Sequence, residues 1–237
     1  MNSLNFLQGH NKIIVLGETG SGKSELAMNL AVQIRREAGQ PVRFLDMDQT
    51  KPHFRSRDVL DTLVCQGVTF SVEEQFMDAP IVPYGVVESL SDPDLWVIMD
   101  VGGSQHGALC IGQFSAAIVA AKALAFYTIN PYRAFSDTTP RIAETMETIL
   151  ASSQLEDIHI VCDAYLGDGT TALQLLEGHE MLNNLLEPLG RKIYLTAVPD
   201  FLWEQVRPVF PERAMRIESY LRRVLGLSAL SREDVFH

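Results

Sequence analysis

The run Gly17-Glu-Thr-Gly-Ser-Gly-Lys-Ser24 constrains this chain more than any other segment. It follows the apolar stretch Lys12–Leu16. It precedes a segment in which Leu26, Leu30 and Ile34, with Ala27 and Ala31, recur at helical spacing as far as Gly39. The run fits G-x-x-x-x-G-K-[ST] at every fixed position, and strand before with helix after is the context in which that pattern cradles phosphate. Glycines let the backbone curl so that consecutive N–H groups from Gly20 to Ser24 point inward, with a helix dipole behind them. Lys23 is placed to reach the β- and γ-phosphates of a nucleotide, and the Ser24 hydroxyl to ligate Mg²⁺. Gly17, Gly20, Ser21, Gly22 and Glu25 complete the nucleotide-binding candidates of this stretch.

Beyond the loop, short apolar runs alternate with helix-period segments. Val42–Leu45, Val68–Val72, Leu95–Met99, Leu124–Ile129, Ile158–Cys162 and Ile193–Ala197 read as strands. Gly107–Ala121 reads as one buried, Ala-rich helix. Thr139–Pro140 opens another as N-cap and first helical residue, striped by Ile142, Met146, Ile149 and Leu150. A helical stretch joins the last two strands, with Gly178 as a candidate break. The tail Glu212–Leu225, striped by Met215, Ile217, Leu221 and Leu225, reads as an amphipathic helix docked on the core. The expected architecture is α/β: one domain over residues 1–237, a single doubly wound, mostly parallel sheet with helices on both faces. Its ligand lies at the carboxyl ends of the strands.

Composition narrows the partners. At 237 residues, 46% hydrophobic, the chain can bury one sizeable core. A formal net charge of −11 repels phosphate backbones and anionic lipid, so neither nucleic acid nor a membrane is expected as a partner. Met1–Asn11 lacks a signal-peptide pattern, and Ala116–Ile129 is too short and interrupted to span a bilayer. Cys65, Cys110 and Cys162 form no CxxC pair. Sparse, unpaired cysteines fit a reducing, cytoplasmic setting and the role of small buried hydrophobes, and they argue against a metal cargo.

Two carboxylate clusters complete the expected site. The strand Leu95–Met99 runs into Asp100, in position to hold Mg²⁺ through water, and Gly103 follows with an N–H able to sense a γ-phosphate. After the second strand, alternation points Asp46 and Asp48 to the same side. Asp48 is the candidate to orient an in-line water or to bind Mg²⁺; a solvated acidic turn is the plain alternative.

The loop, the D-x-D at Asp46–Asp48 and the D-x-G-G at Asp100–Gly103 together resemble the CobQ/CobB/MinD/ParA-type nucleotide-binding proteins, a branch of the P-loop NTPases, over nearly the whole chain. Asp48–Arg57 is similar to its first switch and Asp100–Ala108 to its second. The resemblance implies ATP-Mg binding, slow hydrolysis with Lys23 and Asp48 as catalytic residues, and face-to-face homodimers. Two positions depart from it. Glu18 stands where many members carry a lysine that reaches the partner's phosphates, so that contact passes to Lys51, Arg55 or Arg57. Asp163 stands where members often read adenine with Asn; a carboxylate accepts from guanine N1–H and N2–H₂ or from the adenine amine. ATP is the expected ligand and GTP the alternative. Val198-Pro199-Asp200-Phe201 forms the other wall of the base pocket, with Phe201 either stacked on the base or part of the core.

His53 and His106 lack a second ligand at zinc-like spacing and read as surface residues. Asn130-Pro-Tyr-Arg133 sits at a strand end, either shaping the ligand edge or serving as a simple turn. Three functions fit. The first is a nucleotide-dependent switch for a protein partner, in metalloenzyme maturation or assembly. The second is an ATP-dependent enzyme phosphorylating a small acid near Arg55, Arg57 and Arg133. The third is a nucleotide-binding module that does not hydrolyse.

Overall fold

A computed structural model describes residues 4–48, 63–71 and 85–221. The strands are β1 (Lys12–Gly17), β2 (Val42–Asp46), β3 (Thr69–Ser71), β4 (Trp96–Asp100), β5 (Leu124–Ile129), β6 (His159–Cys162), β7 (Ile193–Pro199) and β8 (Ala214–Ile217). The principal helices are α1 (Lys23–Ala38), α2 (Val86–Ser91), α3 (Gln105–Gly112), α4 (Ser115–Ala120), α5 (Thr139–Ser153), α6 (Ala172–Leu186) and α7 (Trp203–Val206). All strands join one eight-stranded sheet in the order β3-β2-β4-β1-β5-β6-β7-β8. Every described pairing in it is parallel.

Period-two alternation sends successive strand residues to opposite faces, and each face has its own core. Ile13, Val15, Phe44, Ile98 and Phe126 pack under α1 through Leu26, Leu30 and Ile34. Ile14, Leu16, Leu45, Met99 and Tyr127 pack beneath α3, α5 and α6 through Ile111, Ile142, Met146 and Leu182. Each fully buried Leu or Ile contributes about 1.5–3 kcal/mol of transfer free energy, so this two-sided burial dominates the stability of the sheet. The chain order reverses beside β1: β2, β3 and β4 lie on one side of it and β5 through β8 on the other. That reversal opens a crevice at the carboxyl ends, where the loop after β1 sits.

Three helix readings change. Gly107–Ala121 forms two helices, α3 and α4, rather than one. The first ends where the Gln113 side chain donates to the Cys110 carbonyl at 2.8 Å, which competes with helix continuation. Gly178 does not break α6. It lets the helix lie close to its neighbours, since a Cβ there would fall 2.6 Å from Ala164 Cβ and 2.8 Å from Tyr132 Cε2. The tail is a strand over Ala214–Ile217, paired to Thr196–Pro199 of β7. Met215 is buried and Arg216 exposed, so the Met215/Ile217 spacing of two is that of a strand edge rather than a helix stripe. Leu225 and Val72 lie outside the described residues, as do Lys51, His53, Arg55 and Arg57 of the expected first switch.

Among the cysteines, Cys162 is buried, Cys110 half-buried and Cys65 exposed, so the expectation of three buried thiols holds only for the first. Cys65 follows Leu63, which takes the core position of that turn. Among the described residues no helix is long and apolar enough to cross a membrane.

Gly178→Ala separates packing from propensity. Helix propensity alone favours Ala by about 1 kcal/mol, while overpacking against Tyr132 and Ala164 costs about 1–3 kcal/mol. Thermal unfolding is expected to show a lower Tm for the variant; an unchanged or higher Tm would mean that the contact yields.

Candidate nucleotide site

The loop between β1 and α1 is held on several sides by strand ends. At its start, Gly17 lies so close to β5 that a Cβ would overlap the Thr128 carbonyl oxygen. Ser21 is buried beneath the loop; its hydroxyl, like that of Thr128, has no hydrogen-bond partner among the described residues, and its N–H is given to the Glu18 carbonyl at 3.2 Å. Gly17 and Ser21 therefore shape the loop from below, while Gly20, Gly22, Lys23, Ser24 and Glu25 line the cleft above it. Gly22 has φ +90°, a left-handed conformation that favours glycine. Any Cβ on it would also overlap the Asp163 carboxylate.

The end of β4 approaches from the other side. A Cβ on Gly103 would lie 2.6 Å from Lys23 Nζ and 2.6 Å from the Thr19 nitrogen, and one on Gly102 would lie 2.9 Å from Asp48 Oδ1. The glycine pair is thus what lets the segment after β4 touch both the loop and the acidic turn after β2. Asp46 and Asp100 are register partners across β2 and β4, and the Met47 N–H donates to the Asp100 carbonyl at 2.8 Å. The Asp48 N–H donates to Asp46 Oδ1 at 3.0 Å, which fixes the turn. Lys23 is buried and donates to the Glu18 carbonyl at 2.9 Å. The Glu18 carboxylate turns back on its own loop and accepts from the Thr19 N–H at 3.0 Å.

The structure therefore brings Lys23, Ser24, Asp48, Asp100 and Gly103 to one cleft of about 530 Å³. Asp163, Pro199 and Phe201 line the same cleft, with Phe201 half exposed rather than in the core. A hydroxyl and two carboxylates are hard oxygen donors, the type that suits Mg²⁺. Among the described residues no group of three or more His, Cys, Asp or Glu is arranged to hold a metal by itself. Mg²⁺ at this site would draw further oxygens from water and phosphate.

Other lining residues carry no sequence motif. Tyr165 and Asp168, joined by a hydrogen bond of 2.8 Å, come from the loop after β6. Ile217, Ser219 and Leu221 come from the end of β8 and the segment beyond it. That segment is bound to α1. Asn29, fully buried, donates to and accepts from the Glu218 backbone at 2.8 Å each, and Glu25 accepts from the Tyr220 and Leu221 N–H groups. Glu25 thus reaches the cleft as a clamp on its wall. His106 is exposed on α3, in keeping with a surface role.

Asp163 is electrostatically unusual. Burial first, and the negative charge of Glu25 second, push its carboxyl up to about 7, while Arg133 pulls the other way. A near-neutral carboxyl is tolerated beside a phosphate where an ionised one is repelled.

No protein-family model matches the chain, and no curated protein matches it. Solved structures do. The cell division protein FtsY of Thermotoga maritima aligns over 83% of this chain and 68% of its own, at TM-score 0.53 and 15% identity. Chloroplast FtsY of Physcomitrella patens aligns over 95% and 72%, at 0.53 and 13%. A nucleotide-binding protein of Archaeoglobus fulgidus, in complex with ADP, aligns over 98% and 93%, at 0.50 and 15%. At these identities the likeness is one of fold, and the fold is that of the P-loop NTPases. It does not single out the CobQ/CobB/MinD/ParA branch.

The Asp163 carboxyl gives a signed pH prediction. The native chain holds a proton that the unfolded chain, with a carboxyl near its usual value of about 4, releases as pH rises. Between about pH 4 and 7 the folded state binds more protons, so stability falls with rising pH through that window and levels off above it. Asp163→Asn removes this term. Relative to wild type, the variant should gain Tm at pH 8 and little at pH 5; parallel Tm profiles from pH 5 to 8 would contradict the assignment.

Proposed function

We propose that this chain binds a nucleoside triphosphate with Mg²⁺, ATP in preference to GTP, and uses it as a switch that engages or releases a protein partner. The observation that carries this reading is the contact of Gly103 with Lys23 and Thr19. A γ-phosphate reaching the Lys23 ammonium would enter the space beside Gly103, so the segment after β4 must respond to which nucleotide is present. Asp48, against Gly102, links the turn after β2 to the same event. These are the ingredients of an ordered-or-released segment governed by a terminal phosphate.

Lys23 would bind the β- and γ-phosphates, and Ser24, Asp48 and Asp100 would hold Mg²⁺ directly or through water. Asp48 would position the attacking water in a slow hydrolysis. Asp163, Pro199 and Phe201 would border the base. ADP in the Archaeoglobus fulgidus protein favours adenine. Membership of the CobQ/CobB/MinD/ParA branch, a homodimer and a role in metalloenzyme assembly are finer parts of this reading that rest on the resemblance carried by the two switch-like segments, and a cytoplasmic location rests on the sparse, unpaired cysteines.

Calorimetric titration with Mg-ATP and Mg-GTP tests the binding step. Lys23→Ala should weaken Mg-ATP by about 10- to 100-fold, the loss expected for a hydrogen bond to a charged group. Asp100→Asn should lose the enhancement by Mg²⁺ while binding metal-free nucleotide like wild type. If both variants bind Mg-ATP as wild type does, the site assignment is wrong.

The switch is tested by amide hydrogen exchange over Gly102–Gly107 in the full-length chain with Mg-ADP and with a non-hydrolysable Mg-ATP analogue. Greater protection is expected with the analogue. Equal protection in the two states would leave a binding module without a switch.

A further inference from the structure

The cleft is short of positive charge for a ligand that carries several negative ones. Among the described residues lining it there are seven carboxylates and two cations, Lys23 and Arg133. One acid is neutralised in part by its own partner, since Asp200 forms an ion pair with Arg216. Lys23 belongs to the loop motif. Arg133 belongs to no motif, yet its Nε lies 3.9 Å from where a Cβ on Gly20 would stand. Gly20 is the first residue of the inward N–H cradle. The guanidinium therefore hangs over the mouth of the phosphate loop.

The backbone that presents this side chain is held by buried groups. Asn130, at the end of β5 and 2% exposed, accepts from the Tyr132 N–H at 3.0 Å and donates to the Tyr165 carbonyl at 2.9 Å. Its own carbonyl accepts from the Arg133 N–H at 3.1 Å. The Tyr132 hydroxyl donates to the Gln174 carbonyl at 2.6 Å, and its ring lies against Gly178 of α6. The arm is thus rooted in a fixed turn. Its guanidinium makes no side-chain hydrogen bond or salt bridge among the described residues, whereas Arg36 and Arg141 are both paired to carboxylates. All its donors remain available for an anion.

We propose that Arg133 is a phosphate-contacting residue of this site, folding over Gly20 onto the polyphosphate of the bound nucleotide from the same chain. It supplies from the turn after β5 a second positive charge beside that of Lys23, in a loop that carries Glu18 next to its first glycine. A guanidinium suits the task because its planar fork meets two phosphate oxygens at once. This rests on the nucleotide reading given above and deepens it. It also removes Arg133 from the carboxylate-substrate role that the sequence alone allows.

The test is titration of the full-length chain with Mg-ATP and with Mg-tripolyphosphate, which has neither base nor sugar. Arg133→Ala should weaken both ligands by a similar factor of about 10 or more. Arg133→Lys should recover part of the loss, because an ammonium keeps the charge but not the fork. The side chain is exposed, so the variants should keep the wild-type Tm, which is checked alongside. Wild-type affinity for Mg-ATP in Arg133→Ala overturns the inference. So does a loss confined to Mg-ATP with tripolyphosphate unaffected, which would place Arg133 on the sugar or base. If wild-type protein binds neither ligand, the nucleotide reading itself fails, an outcome distinct from the other two.

Discussion

Close approach between strand ends and the loop after β1 is the constraint on which the rest of this site depends. The Thr128 carbonyl presses on Gly17, the Asp163 carboxylate on Gly22, and the Gly103 backbone on Thr19 and Lys23. Three different strands therefore fix one short loop. Such a loop is shaped before any ligand arrives, and little further ordering is left to be done on binding. The same contacts couple the loop to the ends of β4, β5 and β6, so whatever displaces it displaces them as well.

The helix that follows extends this rigidity to the opposite wall of the cleft. α1 begins with the cleft-lining Lys23 and, within two turns, grips the segment after β8 through Glu25 and Asn29. An asparagine with no exposed surface that both donates to and accepts from one residue's backbone is costly to replace, since a substitute leaves buried groups unpaired. The loop end of α1 and the far wall of the cleft are consequently parts of a single body, joined by hydrogen bonds rather than by apolar contact alone. A ligand spanning the cleft would bridge two ends of one unit.

Electrostatics runs against that geometry. The cleft is lined mainly by carboxylates, so an anionic ligand is admitted only with compensation. Hard oxygen donors suit Mg²⁺, burial pushes the Asp163 carboxyl up to about 7, and two cationic side chains stand at the loop. The Glu18 carboxylate accepts from the Thr19 N–H of its own loop.

The sequence by itself determined whatever depends on neighbours a few residues apart. The glycines and lysine of the loop, the apolar runs of β1, β4 and β5, and the carboxylates that end β2 and β4 could be read from spacing, because strand alternation and helical period are local. Tertiary structure decided what depends on distant partners. Met215 and Ile217 became a strand because β7 offered an open edge, and Gly178 serves as a close-packing position inside a helix because Ala164 and Tyr132 leave room for no side chain there. Asp163 met the loop, and Arg133 came to lie over Gly20, only through the parallel stacking of β1, β5 and β6. Neither contact leaves a periodic trace, since each joins residues more than a hundred positions apart and its energy arises only when the sheet has formed.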